Sequence, residues 1–149
     1  MRRIASLLAV VLSALLVVAW SAGNKGKEAE KRQQDAEKSP QAVAYRAYVA
    51  AVKAGDVEAW KKLVPSREAN DLERDSSDQN RTAKEVVSFW AGSIPDEIRF
   101  LSVSVKGDKA SLRLSGKLST RQQVVDMHGD IDLVLENGAW KVAYQGYGQ

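Results

Sequence analysis

The sequence predicts an α+β domain in which helices come first and an antiparallel sheet follows. Between residues 40 and 91, apolar side chains recur at helical spacing, whereas after Pro95 they alternate with polar ones at a period of two. Near the end, Asn137-Gly138 separates two alternating runs, which is the strongest short-range signal of a tight hairpin. Helices segregated from strands in this way predict three helices packed on a curved sheet of about four strands.

The N-terminus predicts export. The chain has 149 residues and begins with Met1-Arg2-Arg3, followed by an apolar run of 17 residues from Ile4 to Trp20. A short basic start before an apolar core is typical of a signal peptide, and the run also reaches the lower length limit of a membrane-spanning helix. Residues 1–23 are therefore interpreted as a signal peptide or a membrane anchor. We expect a periplasmic or extracellular protein, tethered to the cytoplasmic membrane if this segment is retained.

Composition excludes several classes of partner and site. The net charge is +3 for the whole chain and +1 without Arg2 and Arg3, and the two signs are interspersed, which argues against a nucleic-acid partner. The absence of cysteine excludes disulfides and a lipid-modified cysteine. Nine of the fifteen residues in 24–38 are charged, so this segment is predicted to be a linker, either a solvated helix or a disordered tether.

The folded domain is expected to span residues 39–149 and to begin with two helices marked by their ends. Ser39-Pro40 has an N-cap followed by a proline suited to the first helical position. Gly55 suits the C-terminal stop of this helix, and Asp56 caps a second, shorter helix. That second helix is predicted to end at Pro65, because proline cannot continue it.

A third helix is predicted to start at a capping box formed by Thr82 and Glu85 and to end at Gly92. Its apolar face comprises Val86, Phe89 and Trp90. The preceding residues 67–81 contain only two apolar side chains, so they are predicted to form a mobile loop with at most one helical turn.

Two hairpins are predicted with explicit registers. A turn at Gly107-Asp108 pairs Val105 with Ala110, Val103 with Leu112 and Leu101 with Leu114. The turn at Asn137-Gly138 pairs Leu135 with Trp140, Leu133 with Val142 and Ile131 with Tyr144. In both hairpins all apolar partners fall on one face, which is therefore the predicted core face. Gly129 is expected at a bulge or sharp bend.

Two stretches carry a resemblance to a known family. Residues 45–63, YRAYVAAVKAGDVEAWKKL, resemble the opening helices of the nuclear transport factor 2-like (NTF2-like) superfamily, and 136–142, ENGAWKV, are similar to its last hairpin. The resemblance covers roughly residues 39–144. It implies a cone-shaped α+β domain with a hydrophobic pocket and frequent dimerisation through the sheet. The superfamily contains ketosteroid isomerases, dehydratases and non-catalytic binding modules, so the fold does not determine function.

The strand residues predict a binding module rather than an enzyme. An isomerase of this fold needs a carboxylate base inside its pocket, and no acidic residue or histidine falls on the predicted core face. We therefore expect no catalytic residue, no cofactor, and a module of the cell envelope that binds a small apolar ligand or a protein partner, with homodimerisation as a further expectation. The alternative is an isomerase-like or dehydratase-like enzyme, for which Asp71 or Glu73 of the predicted loop would supply the acidic group.

Seven aromatic residues are the candidate pocket residues: Tyr45, Tyr48, Trp60, Phe89, Trp90, Trp140 and Tyr144. They either line a ligand pocket or fill the core between helices and sheet. No metal site is expected. Asp126, His128, Asp130 and Asp132 lie on one strand face, but successive members are about 7 Å apart, too far to share an ion.

Overall fold

The computed structural model describes residues 25–149, so the segment predicted to be a signal or anchor lies outside the described residues. Five helices precede four strands in this part of the chain: α1 (25–37), α2 (Pro40–Ala54), α3 (Val57–Lys61), α4 (Ser66–Asp78), α5 (Ala83–Ala91), β1 (Glu97–Lys106), β2 (Lys109–Ser119), β3 (Val124–Glu136) and β4 (Ala139–Gly148). The predicted α+β fold is confirmed. Among residues 25–149, none of the helices has the length and apolar character needed to span a membrane.

The charged segment before the domain is helical and contacts the sheet at its C-terminal end. Of the two predicted states, helix or tether, α1 is a helix. Its Ala36 is fully buried, and the Glu37 carboxylate accepts a hydrogen bond from the backbone N–H of Phe100 at 2.8 Å. The end of α1 is therefore held against β1.

The predicted helix caps are confirmed, but α3 ends at Lys61 rather than at Pro65, because the N–H groups of Lys62 and Leu63 bond to carbonyls three residues back and close a turn. Ser39 accepts a hydrogen bond from the Ala42 N–H at its side chain, and Gly55 ends α2 with a φ of 62°, a left-handed conformation that suits glycine. Asp56 caps α3, and Thr82 and Glu85 form the reciprocal capping box of α5. These local signals fix where each helix starts.

The prediction of a mobile loop over residues 67–81 is wrong, because Ser66–Asp78 forms the helix α4. Pro65, at its N-cap, offers no side-chain hydrogen bond. Instead Glu136, at the end of β3, accepts hydrogen bonds from the Ser66 N–H at 3.1 Å and the Ser66 hydroxyl at 2.9 Å. Burial of Leu72 then attaches the helix to the core. The cap comes from a residue 70 positions away, which local sequence patterns do not reveal.

The sheet is an antiparallel meander in the order β1-β2-β3-β4. Both predicted hairpin registers are correct next to their turns, and Asn137 and Gly138 both have positive φ. Further from each turn the register shifts by one residue. The pairs predicted between Leu101 and Leu114 and between Ile131 and Tyr144 are therefore wrong.

Each shift changes which side chain faces the helices. In β1 the irregularity lies between Phe100 and Ser102, so Phe100 pairs with Leu114 and is fully buried. In β4 the shift pairs Tyr144 with Asp132 and leaves the Tyr144 side chain 60% exposed.

The shift in β4 also brings two polar residues to the core face. Gln145 pairs with Ile131, and Tyr147 pairs with Gly129. No register shift occurs at Gly129, so the predicted bulge there is wrong. The residue is instead a point of close approach, because a Cβ atom there would lie 2.8 Å from Cδ1 of Tyr147.

Candidate functional site

A cavity of about 220 Å³ lies between the helices and strand β4. Tyr48 of α2, Trp60 of α3, Glu68 of α4 and Trp90 of α5 each contribute to its wall. The remaining lining residues follow α3 or belong to β4: Val64, Val142, Ala143, Tyr144 and Gln145. Four helices and a strand thus converge on one space.

Aromatic rings form much of the wall. The ring centroids of Trp60 and Trp90 lie 5.4 Å apart with an interplanar angle of 42°. Tyr48 stacks on the buried ring of Tyr45, with centroids 5.8 Å apart and an angle of 18°. Aromatic pairs at these distances are favourable, so the wall is held by ring packing.

Two of the wall residues each carry a buried polar atom that has no hydrogen-bond partner among the described residues. One is the indole nitrogen of Trp60, a donor on a side chain that is only 4% exposed. The other is Oε2 of Glu68, an acceptor. Most buried polar groups in proteins are paired, so two unpaired atoms of opposite type around one cavity require an explanation.

Behind the aromatic wall, three tyrosine hydroxyls converge on the amide of Gln145. Its Nε2 donates to the Tyr48 hydroxyl at 3.0 Å, and its Oε1 accepts from the Tyr147 hydroxyl at 3.2 Å. The Tyr45 and Tyr147 hydroxyls also hydrogen-bond to each other. Since the Tyr48 oxygen accepts from Gln145, its own proton is not used in this hydrogen bond.

Burial keeps these hydroxyls protonated. It raises the pKa of Tyr45, of Tyr48 and, to about 12, of Tyr147. The nearby indole N–H of Trp60 opposes this effect of burial and lowers the pKa of Tyr48, although the N–H and the Tyr48 hydroxyl lie outside hydrogen-bonding geometry. At neutral pH the three side chains are therefore uncharged donors and acceptors.

The seven aromatic candidates are not all brought together. Tyr48, Trp60 and Trp90 line the cavity, and Tyr45 lies directly behind Tyr48. Trp140 packs half-buried against the core, whereas Phe89 is 67% exposed beside Arg81.

Tyr144 borders the cavity, but its ring turns away from the helices. The hydroxyl lies 2.8 Å from the point where a Cβ on Gly146 would be, so the ring covers Gly146. Its strand partner Asp132 is exposed. The side chain therefore belongs to the outer face of the sheet.

The residues that sequence reasoning missed are Glu68 and Gln145. Glu68 lies one helical turn before the buried Leu72, so the two share a face once residues 66–78 are known to be helical. Asp71 and Glu73 instead form ion pairs at the surface, with Arg74 and Lys61 respectively. Gln145 faces inward only because of the register shift in β4, which the alternating pattern conceals.

The outer face of the sheet carries a larger concavity of about 510 Å³. Ser104, Ser111, Asp132 and Tyr144 lie side by side across its four strands. Within residues 25–149, no cluster of three or more acidic or histidine side chains is arranged to hold a metal ion. Asp130 pairs with Arg113 at 3.1 Å.

Several solved structures have a similar fold. A SEC-C motif containing protein from Rhodopseudomonas palustris aligns with a TM-score of 0.51 at 17% identity, covering 69% of this chain and 74% of that protein. A protein from Silicibacter pomeroyi described as NTF-2 like aligns with a TM-score of 0.44 at 19% identity, covering 72% and 90%. Another NTF-2 like protein, from Shewanella oneidensis, gives 0.43 at 11% identity, covering 74% and 97%.

The fold of helices followed by an antiparallel sheet is thus shared with the SEC-C motif containing protein. Both of these NTF-2 like proteins are described as having unknown function. No protein-family model matches the sequence, and a comparison with curated proteins finds no match. At these identities a likeness concerns the fold alone, so function has to be argued from the cavity.

Proposed function

We propose that this protein is a non-catalytic binding module that takes a small, largely apolar molecule in the cavity between its helices and β4. The observation that carries the proposal is the pair of unpaired buried atoms, the Trp60 indole N–H and the Glu68 Oε2, at one aromatic-walled cavity. Pockets for small molecules combine apolar walls with a few converging polar groups in this way.

A ligand would remove the cost of these unpaired atoms. Leaving a buried donor or acceptor unsatisfied costs about 1–3 kcal/mol, and a ligand with one acceptor and one donor satisfies both. The volume of about 220 Å³ lies below the roughly 300–1,000 Å³ of pockets for drug-sized molecules. The ligand is therefore small, with an apolar body and one or two polar groups.

Binding of cyclohexanol and phenol, measured by calorimetry or by tryptophan fluorescence, tests the proposal. The variant Ala143→Phe should fill the cavity from β4 and abolish binding, because Ala143 lines it. The matched control Ala139→Phe makes the same change at an exposed position of the same strand and should bind like the wild type. Absence of binding by the wild-type protein, or equal binding by both variants, would reject the cavity as the site.

We also propose that the module acts outside the cytoplasm, as a secreted or membrane-tethered protein. The basic start and the apolar run of residues 4–20 support export. Mass spectrometry of the protein isolated from its own cells measures the N-terminus. A chain that begins after residues 21–23 supports a cleaved signal, an intact chain in the membrane fraction supports an anchor, and an intact chain in the cytosol contradicts export.

An enzyme remains the second candidate, and Glu68 is the observation in its favour. A carboxylate beside a tyrosine hydroxyl can remove a proton next to a carbonyl while the hydroxyl stabilises the enolate oxygen. Glu68 and Tyr48 line the same cavity. Deuterium exchange at the α-carbon of cyclohexanone, followed by NMR in D₂O, tests this role. Exchange that is accelerated by the wild type and lost in Glu68→Gln supports an enzyme, whereas equal exchange in both removes Glu68 as a base.

A further inference from the structure

The character of the cavity wall indicates the charge of its ligand. We infer that the cavity selects a small protonated amine, an inference that rests on the proposed ligand-binding function. Among residues 25–149, Glu68 is the only charged residue that lines the cavity, and neither lysine nor arginine of this part of the chain contributes to the wall. Its buried Oε2 has no hydrogen-bond partner among residues 25–149.

A neutral ligand brings no charge opposite to that of the Glu68 carboxylate, and the carboxylate would repel an anion. An ammonium group, by contrast, donates hydrogen bonds to a carboxylate and brings the opposite charge. Charged groups in partly desolvated sites are costly unless they are paired, so a cation stabilises the inner oxygen of Glu68 more than an alcohol does.

The aromatic rings favour the same ligand. Trp60, Trp90 and Tyr48 surround the cavity, and the faces of tryptophan and tyrosine attract cations through the negative charge above the ring. The Trp60 and Trp90 rings are tilted at 42° to each other, so they present two differently oriented aromatic surfaces to the cavity. A carboxylate combined with such rings is chemistry that recognises an organic ammonium ion with a compact apolar body.

Two probes of nearly equal size separate this inference from ligand binding in general. Cyclohexylammonium and cyclohexanol share the same ring and differ in charge. Calorimetry at neutral pH should show that the wild-type protein binds the ammonium ion at least about tenfold more tightly, as expected for hydrogen bonds to charged groups. This comparison needs no variant and so does not depend on the folding of a mutant.

Two variants in α4 then test whether Glu68 causes the preference for the ammonium ion. Glu68→Gln keeps the shape of the side chain but removes its charge, so the variant should bind cyclohexylammonium and cyclohexanol with affinities within about twofold of each other. Glu73→Gln removes a carboxylate from the outer side of α4, where it pairs with Lys61, and should leave the preference unchanged.

Each other outcome is decisive. Equal wild-type affinities for the two probes would overturn the inference and leave the proposed binding function standing. Binding of neither probe would overturn both. A preference that survives in Glu68→Gln, or that falls as much in Glu73→Gln, would show that the cation binds elsewhere.

Discussion

At the scale of single residues, Gln145 and Tyr147 supply the polar groups that β4 brings to the core face, where the Tyr147 hydroxyl donates to Oε1 of Gln145. Leu133 and Val142 lie where the sequence predicts, because near a tight turn the pairing follows directly from the loop length. Tyr144 does not, because one irregularity in β4 exchanges the two faces of everything beyond it. A bulge leaves little signal in an alternating sequence, so the inward position of Gln145 cannot be predicted from the sequence.

The inward-facing Tyr147 predicts a specific dependence of stability on pH. Its folded-state pKa of about 12 lies above the ordinary value of 10.0, so the folded state holds its proton more tightly than the unfolded state does. This contribution is fully present below pH 10 and is lost as the pH rises towards 12. From Tyr147 alone, we expect the free energy of unfolding to fall by about 2 kcal/mol over this range.

Urea unfolding of wild type and Tyr147→Phe at several alkaline pH values measures this loss. The variant should lose less stability between pH 10 and 12, and the remaining loss should reflect Tyr45 and Tyr48, whose pKa values burial also raises. Tyr144→Phe, which alters an exposed ring on the same strand, is the control and should follow the wild type. Parallel curves for wild type and Tyr147→Phe would contradict the assignment.

At the scale of elements, the helices are predictable where their ends are local. Ser39, Gly55, Asp56 and Thr82 mark their caps in the sequence itself, and the structure confirms each of them. The helix α4 is different because its composition is polar and its cap is the distant Glu136. Tertiary contacts therefore determine α4, and with it the position of Glu68.

Removing this distant cap should loosen α4 selectively. We expect Glu136→Ala to destabilise the protein by about 1 kcal/mol, the usual cost of a lost helix cap, and to speed amide hydrogen exchange in residues 66–78. Asp132→Ala, at an exposed position of the same strand, should change neither. If exchange in α4 is unaffected by Glu136→Ala, the capping role is wrong.

The variant Glu136→Ala also tests whether the cap of α4 affects binding in the cavity. Since α4 supplies Glu68, loosening the helix should weaken the binding of cyclohexylammonium more than that of cyclohexanol.

At the scale of the whole molecule, the sequence predicts the layers of the fold but not the cavity between them. The change from helical spacing to alternation and the Asn137-Gly138 turn are enough to predict helices followed by an antiparallel sheet. The cavity depends on how four helices meet β4. It requires the helix α4 and the shifted register of β4, and local sequence patterns predict neither of them. The sequence points to Asp71 or Glu73 as the acidic residue of an enzyme, but both lie at the surface.

The central claim is that a small molecule enters this cavity and contacts the indole N–H of Trp60. A titration of ¹⁵N-labelled protein with cyclohexanol, whose hydroxyl oxygen can accept a hydrogen bond from that N–H, tests it most directly through the tryptophan indole cross-peaks. The account predicts a saturable shift of the Trp60 cross-peak, which is lost in Ala143→Phe and retained in Ala139→Phe. A Trp60 cross-peak that stays in place while resonances on the outer face of the sheet move would place binding outside the cavity and contradict the account.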